Sequence, residues 1–304
     1  MRCRTIWIVS VVLMALRCTS AEDPWLPDGD ADGDVAPPDF PQDLEADPAD
    51  VPAEEPPADL PADQPVDQPL DVPETVDLPE EPSTGVVPPL GGSSGGSGGA
   101  APLSGALQSA GGISYNLIVP AGYSPSVPAP FMVIFSGTEG GDMMTSNMLS
   151  VAPYVGLDDV IIAVLDGVTY YDRGDAGEPV IDDVRARYNI DNDRTYLLSE
   201  SAGTGAGLQL GFQLRQSYFA AFWANDVNTS SSPARPAAEL GFAPWGNAGP
   251  GGDLADASAI VGAMRTAGYR LPADAPYSGP GSGTHGSTDQ FLAACEFFPG
   301  KTRP

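Results

Sequence analysis

The sequence predicts an α/β domain, a mostly parallel sheet with helices on both faces, behind an acidic, Pro-rich stalk. Three observations support this reading. Continuous apolar runs such as Phe131–Phe135 and Val160–Leu165 suit strands covered on both faces. Helix-like segments separate those runs, and alternation at this spacing argues an open α/β sheet. Charge divides the chain sharply: 21 of its 41 acidic residues lie between Glu22 and Glu81, where no Lys or Arg occurs.

Residues 1–21 read as an export signal. Arg2 and Arg4 precede an apolar stretch, Ile6 to Leu16, of about eleven residues, short of the ~20 that span a bilayer. Two processing routes are open. Cleavage after Ala21 releases a free protein, whereas lipidation of Cys18 tethers it, although Arg17 fits poorly where a small residue is wanted. Either route puts the protein outside the cytoplasm, secreted or at the cell surface or periplasm. Membrane contact is expected only through a lipid on Cys18.

Residues 22–90 form the stalk. Proline removes backbone donors, like charges repel, and large apolar residues are too sparse to drive ordering. Within it, Asp28–Asp34 resembles the start of a calcium loop, with Gly33 sixth. The twelfth position is Asp39 rather than a bidentate Glu, and prolines crowd both flanks, so a solvated acidic run is the simpler reading. Residues 91–100, almost all Gly and Ser, are expected to be a flexible linker. The head, residues 101–304, is then expected to keep its activity and melting temperature when cut free near Ala100.

In the head, strands are expected at Phe131–Phe135, Val160–Leu165, Thr195–Leu198, Phe219–Ala224 and Leu240–Trp245. Helices are expected over about 145–155, 179–188, 202–216, 254–267 and 287–297. Cys295 is the sole thiol in the head, which excludes an internal disulfide there and reads as a buried helix residue. The net charge of −28 and the lack of a basic patch argue against nucleic acid. No His/Cys/carboxylate cluster suggests a metal and no Gly-rich phosphate loop suggests a nucleotide, so no cofactor is expected. A monomer is expected.

The chain contains one histidine, His285, within the Gly-rich run Gly281–Gly286. Ser199-Glu200-Ser201-Ala202-Gly203 follows an apolar run and precedes a Gly/Ala-rich segment. A serine hydroxyl is inert at neutral pH unless a base takes its proton, and histidine suits that task. With one histidine the base is fixed: Ser201 and His285 meet, or there is no catalytic pair. The pentapeptide matches the strand-turn-helix motif Gly-x-Ser-x-Gly except that Ser199 replaces the first glycine. The turn demands small residues two before and two after the nucleophile, and serine is small. Trp223, Trp245, Tyr170 and Tyr171 either line a cleft or pack the core.

From about Ile113 to Phe298 the chain resembles secreted α/β-hydrolase esterases of the polyhydroxybutyrate-depolymerase and feruloyl-esterase type. The resemblance rests on Tyr115–Pro120 leading to Phe131–Gly137, and on Tyr188–Tyr196 before the serine motif. It also rests on Phe219–Phe222 after that motif, and on Ala267-Gly268-Tyr269 before the histidine segment. It implies the α/β-hydrolase fold and the chain order nucleophile, acid, histidine. Where the family has His-Gly after its third strand, this chain has Ser136-Gly137; because the oxyanion donors are backbone amides, those of Gly137, Thr138 and Ala202 remain candidates. Glu139 is expected to face solvent, since an inward carboxylate would oppose an oxyanion. For the acid, the resemblance implies Asp253, with Asp226 and Asp256 as alternatives; Asp253 also suits an N-cap and Asp256 a first-turn position.

These residues point to a serine esterase acting through an acyl-enzyme on an ester, whether small or polymeric. The alternative is a hydrolase fold that has lost catalysis and serves as a surface binding protein. Serine at positions 136 and 199 leans toward the alternative; Ser201 with the sole histidine leans toward the enzyme.

Overall fold

The computed structural model describes residues 88–99 and 104–303. The expected signal, the Cys18 and Ala21 processing sites, the calcium-like run and nearly all of the stalk lie outside the described residues. Seven strands form one sheet in the order β1-β2-β4-β3-β5-β6-β7. They are β1 (Ala106–Ala110), β2 (Ile113–Ile118), β3 (Ala129–Phe135), β4 (Ile161–Leu165), β5 (Ile190–Glu200), β6 (Ala221–Asn225) and β7 (Trp245–Ala248). β3 pairs in parallel with β4 and β5, β5 with β6, and β6 with β7, while β2 runs antiparallel to β1 and β4. The helices are α1 (Gly141–Val155), α2 (Gly177–Arg187), α3 (Thr204–Gln209), α4 (Ala237–Leu240), α5 (Leu254–Thr266) and α6 (Thr288–Phe297). This is the α/β-hydrolase arrangement.

Strand alternation divides the core into two layers. Phe131, Val133 and Phe135 of β3, with Ile161, Ala163 and Leu165 of β4, face the buried side chains of α2, α3 and α5. Met132, Ile134, Ile162 and Val164 face Met144 and Met148 of α1 and Cys295 and Phe297 of α6. Every residue of β3 and β4 is buried, which is why both are unbroken apolar runs in the sequence. Cys295 is buried in α6 as expected.

Three elements depart from the sequence reading. The β1–β2 hairpin was not expected; it turns through Gly111 and Gly112, at φ 56° and 83°, the positive angles that a two-residue turn requires. The last strand is Trp245–Ala248 rather than Leu240–Trp245, because Ala237–Leu240 forms a helical turn closed by Gly241 at φ 76°. The single helix expected over 202–216 is broken. A wide turn, Leu210–Leu214, follows α3 and closes with Arg215 N donating to Leu210 O at 2.8 Å. It delivers the buried Arg215 guanidinium to Glu178 and Asp182 of α2, each at 3.1 Å.

The Gly/Ser run is also not the free joint its composition suggests. Ser94 N donates to Ile190 O at 2.8 Å, Asn192 N to Gly92 O at 3.0 Å, and Gly98 N to Arg187 O at 2.9 Å. Ser94 Oγ donates to Tyr188 O at 2.7 Å. Upstream, the buried Arg303 guanidinium donates to Pro88 O at 2.9 Å and Pro89 O at 3.1 Å. Small residues let this backbone lie along the 187–192 segment: a Cβ on Gly96 would fall 2.4 Å from Tyr188 O.

Cutting the chain at Ala100 therefore removes partners from a buried cation, each hydrogen bond contributing about 1.5–3 kcal/mol. A head beginning at Ala100 is expected to melt at least ~5 °C below one beginning near Gly85, taking ~2–4 °C per kcal/mol for a domain of this size. Equal melting temperatures in a thermal scan would show that the segment contributes nothing.

Candidate active site

Parallel strands on either side of β3 are reached by opposite crossovers, so the sheet's switch point lies there, and the carboxyl ends of β3 and β5 open into the crevice. The turn after β5 carries Ser201, which sits at φ 47°. This left-handed conformation costs a non-glycine residue free energy, of order 1–3 kcal/mol, and persists only where neighbours enforce it. They do so here: a Cβ on Gly203 would fall 2.6 Å from Ser136 O and 2.7 Å from Phe135 Cβ. Only glycine fits two residues after the serine.

Two residues before it, Ser199 is fully buried and stands against α3. A Cβ on Gly207 would lie 2.3 Å from Ser199 Cβ and 2.6 Å from its Oγ. The side chain gained at 199 is thus accommodated by its absence at 207. Ser199 Oγ has no hydrogen-bond partner, so its presence costs stability rather than adding a contact.

Ser201 Oγ lies 2.8 Å from His285 Nε2, joining the two residues that the sequence required to meet. His285 is exposed on its loop, and Gly286 N just after it donates to Asp226 Oδ2. Asp226 follows β6, is 1% exposed, holds φ 47°, and takes a second bond at Oδ1 from Gln290 Nε2 at 2.6 Å. Asp253 does not reach the histidine. Its exposed carboxylate caps α5, with Oδ1 accepting from Asp256 N at 3.0 Å, and it makes no hydrogen bond or ion pair with His285. Asp256 accepts from Ser230 Oγ at 2.7 Å. Of the three acids weighed, Asp226 alone touches the histidine loop.

Gly137 follows β3 close to Ser201, since a Cβ there would lie 3.2 Å from Ser201 Cβ. Ser136, where a histidine was absent, is buried and uses its hydroxyl to accept from Gly167 N at 3.0 Å. Ala202 lies within the short helical turn Ser201–Gly203, and Thr138 is exposed. Glu139 corrects an expectation. The residue is exposed, but its carboxylate turns back, and Oε1 accepts from Gly137 N at 2.9 Å. One of the three expected oxyanion donors is thereby engaged.

The sequence reading missed the groups behind the turn. Asn228 Nδ2 donates to Ser201 O at 3.0 Å. Glu200 is buried, and its Oε2 accepts from Asn225 Nδ2 at 2.8 Å. Burial first, and then the adjacent Asp226 charge, hold the Glu200 carboxyl well above the usual carboxylate range. Nothing in the pentapeptide marked Glu200 as buried, because the middle positions of such turns carry no size constraint.

A cavity of about 370 Å³ adjoins Glu139 and is lined also by Asn116, Asp142, Asp166 and Tyr170. Burial works to raise the Asp166 pKa, but amide donors from Thr169, Gly141 and Val168 outweigh it and lower the net value. Of the four aromatics weighed for a cleft, Tyr170 lines this cavity and Tyr171 is exposed. Trp223 is core, stacked near Tyr277 and Phe297, and Trp245 lies under Arg270 and Lys301. Among the described residues no group of three or more His, Cys, Asp or Glu could hold a metal, and no helix is long and apolar enough to cross a membrane.

No protein-family profile and no curated protein matches the sequence. Solved structures do resemble it, and they include esterases, feruloyl esterases and a polyhydroxybutyrate depolymerase. A thermostable esterase is 16% identical with a TM-score of 0.39, over 52% of this chain and 49% of its own, so the chain spans about half of that protein. A ferulic acid esterase from Anaeromyces mucronatus, in complex with ferulic acid, is 14% identical with a TM-score of 0.41, over 62% and 85%. The poly(3-hydroxybutyrate) depolymerase from Bordetella parapertussis is 18% identical with a TM-score of 0.39, over 52% and 77%.

The packing of Ser199 on Gly207 yields a double-mutant test. Gly207→Ala is expected to destabilise the head by about 1–3 kcal/mol, the usual cost of overpacking. In a Ser199→Gly background the same substitution should cost well under half as much, measured by denaturant unfolding. Equal costs in both backgrounds would remove the contact from the account.

Proposed function

We propose that the protein is a serine hydrolase of carboxylic esters. The observation that carries this reading is the 2.8 Å contact between Ser201 Oγ and His285 Nε2, made by a serine held in a strained turn. For His285 to act as base, Nε2 accepts the hydroxyl proton and Nδ1 bears the ring proton. Ser201 Oγ attacks the ester carbonyl carbon as its proton passes to Nε2. The tetrahedral oxyanion is held by backbone amides from among Gly137, Thr138 and Ala202, Gly137 serving only once Glu139 has left its amide. Collapse breaks the bond to the alcohol, which takes the proton from Nε2 and leaves an acyl-Ser201. Water then attacks that ester and gives a proton to Nε2; collapse breaks the acyl bond to Ser201 Oγ, which takes the proton from Nε2, releasing the acid and restoring the free serine and neutral histidine.

The carboxylate serving the histidine is proposed to be Asp226, acting through the loop amide at Gly286, in place of Asp253. Export, with the head free or tethered at Cys18, is proposed from residues 1–21. Whether the ester is small or part of a polymer is left to substrate screening.

A fluorophosphonate probe tests the reaction class directly. Wild type is expected to be labelled at Ser201, and Ser201→Ala and His285→Ala not to be. Asp226→Asn should lower kcat for a model ester by at least ~100-fold, within the loss a triad aspartate shows. Asp253→Asn should stay within about threefold of wild type, because asparagine caps a helix as well as aspartate does. The reverse ranking would return the acid to Asp253.

Glu139 on the Gly137 amide is the one observation that favours the binding-protein reading. A carboxylate at the oxyanion seat competes with substrate and opposes developing negative charge. In an enzyme it must swing into the solvent it already borders. Glu139→Ala is therefore expected to raise the labelling rate about threefold or more. If neither wild type nor this variant takes the probe, the binding-protein reading stands.

A further inference from the structure

We infer that Asn228 positions the oxyanion donor: its amide grips the Ser201 carbonyl and so aims and strengthens the Ala202 N–H at the other end of the same peptide. The inference rests on the serine-hydrolase reading above and makes Asn228 a positioning residue; it touches no reacting atom.

A trans peptide is planar, with its C=O and N–H pointing in opposite directions. The Ser201 carbonyl and the Ala202 N–H belong to one such unit, so whatever fixes the carbonyl also fixes the amide. Two donors do so. Thr204 N, just past the helical turn Ser201–Gly203, donates to Ser201 O, and Asn228 Nδ2 donates to the same oxygen at 3.0 Å. The Ala202 N–H is left aimed the other way. It lies in the first turn of a helical segment, where backbone amides have no intrahelical carbonyl to bond.

A hydrogen bond at a carbonyl also polarises the amide beyond it, and linked bonds strengthen one another. The second donor on Ser201 O therefore makes the Ala202 N–H a stronger donor as well as a better aimed one. This counts for more here because Glu139 Oε1 accepts from Gly137 N at 2.9 Å. Until that carboxylate leaves, Ala202 carries a larger share of the oxyanion.

Asn228 is placed by the segment that also anchors the histidine loop. It follows Asp226 by two residues, and Asp226 accepts from Gly286 N. Between them Val227 is buried, and its N–H donates to Gly249 O at 3.3 Å. Just before them Asn225 O accepts from the buried Thr204 Oγ1 at 3.5 Å. Residues 225–228, leaving β6, thus hold the His285 loop with one side chain and the nucleophile turn with another. One stretch of backbone sets the base and the oxyanion donor relative to each other.

A structural role alone would read out differently. Asn228 is exposed, and Ser201 O keeps Thr204 N when the Asn228 amide is lost. No buried carbonyl is orphaned, so the loss should appear in rate rather than in stability.

The test uses the full chain with Asn228→Ala, Asn228→Asp and Asn228→Gln. Aspartate keeps the shape and removes the donor, whereas glutamine keeps the donor on a longer stem. Removing an oxyanion donor outright costs about 100- to 1,000-fold in kcat, so losing a group that only aims one should cost less. Asn228→Ala is expected to lower kcat for a model ester about tenfold, with KM and melting temperature nearly unchanged. Asn228→Asp should lose at least as much, and Asn228→Gln no more than about threefold. A trifluoromethyl ketone reports on the oxyanion. Ser201 Oγ bonds to its carbonyl carbon, the carbonyl π pair becomes the oxyanion, and the hydroxyl proton passes to His285 Nε2. Its Ki should rise across the variants by the factor that kcat/KM falls. The inference is overturned if Asn228→Ala and Asn228→Asp keep kcat within about twofold of wild type, or if they lower kcat while the ketone binds as before. Failure of the hydrolase reading looks different: wild type itself neither hydrolyses esters nor takes the fluorophosphonate probe, and this inference falls with it.

Discussion

The chain leaves β5 and enters α3 in a space bounded by Phe135 and Ser136 of the adjoining strand, and there Ser201 is held at φ 47°. The constraint is steric before it is chemical. β3 is buried throughout and its end cannot retreat, so the turn beside it is tight, glycine is required at 203, and Ser201 is held at the carboxyl edge of the sheet. Ser199 tightens the turn further, and α3 accommodates it with Gly207. What departs from the usual motif at one position is thus matched at a contacting position, as repacked cores allow when total volume is kept.

The histidine reaches that serine from a Gly-rich loop that has little packing of its own. Its position depends on what lies beneath: Asp226 after β6 bonds the loop at Gly286 N, and Gln290 at the start of α6 bonds Asp226. This division of labour explains how an exposed histidine can be held against Ser201. The loop supplies reach, and the buried network supplies the anchor. It also separates two aspartates that look alike in the sequence. Asp253 opens α5 and satisfies a helix N-terminus, whereas Asp226 adopts a left-handed conformation that points it back under the loop.

Much of this was legible in the sequence, and the failures have physical causes. β3, β4 and β5 are apolar runs because both faces are covered, so burial itself wrote the signal. β1 and β2 form a part-exposed hairpin at the sheet edge, where alternation is weak and Gly111-Gly112 is the clearest mark. Ser201 and His285 were readable because one histidine leaves no choice. The acid was not, since Asp253 fits an N-cap and a catalytic acid equally well until distances are known. Nor could composition place Gly91–Gly99: glycine and serine predict mobility in isolation, yet the same lack of side chains lets that backbone approach Tyr188 and bond along 187–192.

Three carboxyl side chains border a site whose proposed reaction builds negative charge: Glu139 on the Gly137 amide, Glu200 just before Ser201, and Asp226 under the His285 loop. Two unit charges ~5 Å apart interact by about 3 kcal/mol at an effective dielectric of ~20, roughly a hundredfold in rate for each uncompensated anion. The site therefore works only if each carboxyl is dealt with differently. Asp226 accepts from Gly286 N and Gln290 Nε2, burial holds the Glu200 carboxyl well above the usual carboxylate range, and Glu139 borders solvent into which it can move. The chain's acidity, confined by composition largely to the stretch before the head, reappears at the site in a form that must be neutralised group by group. Burial and hydrogen bonding do this from within the fold.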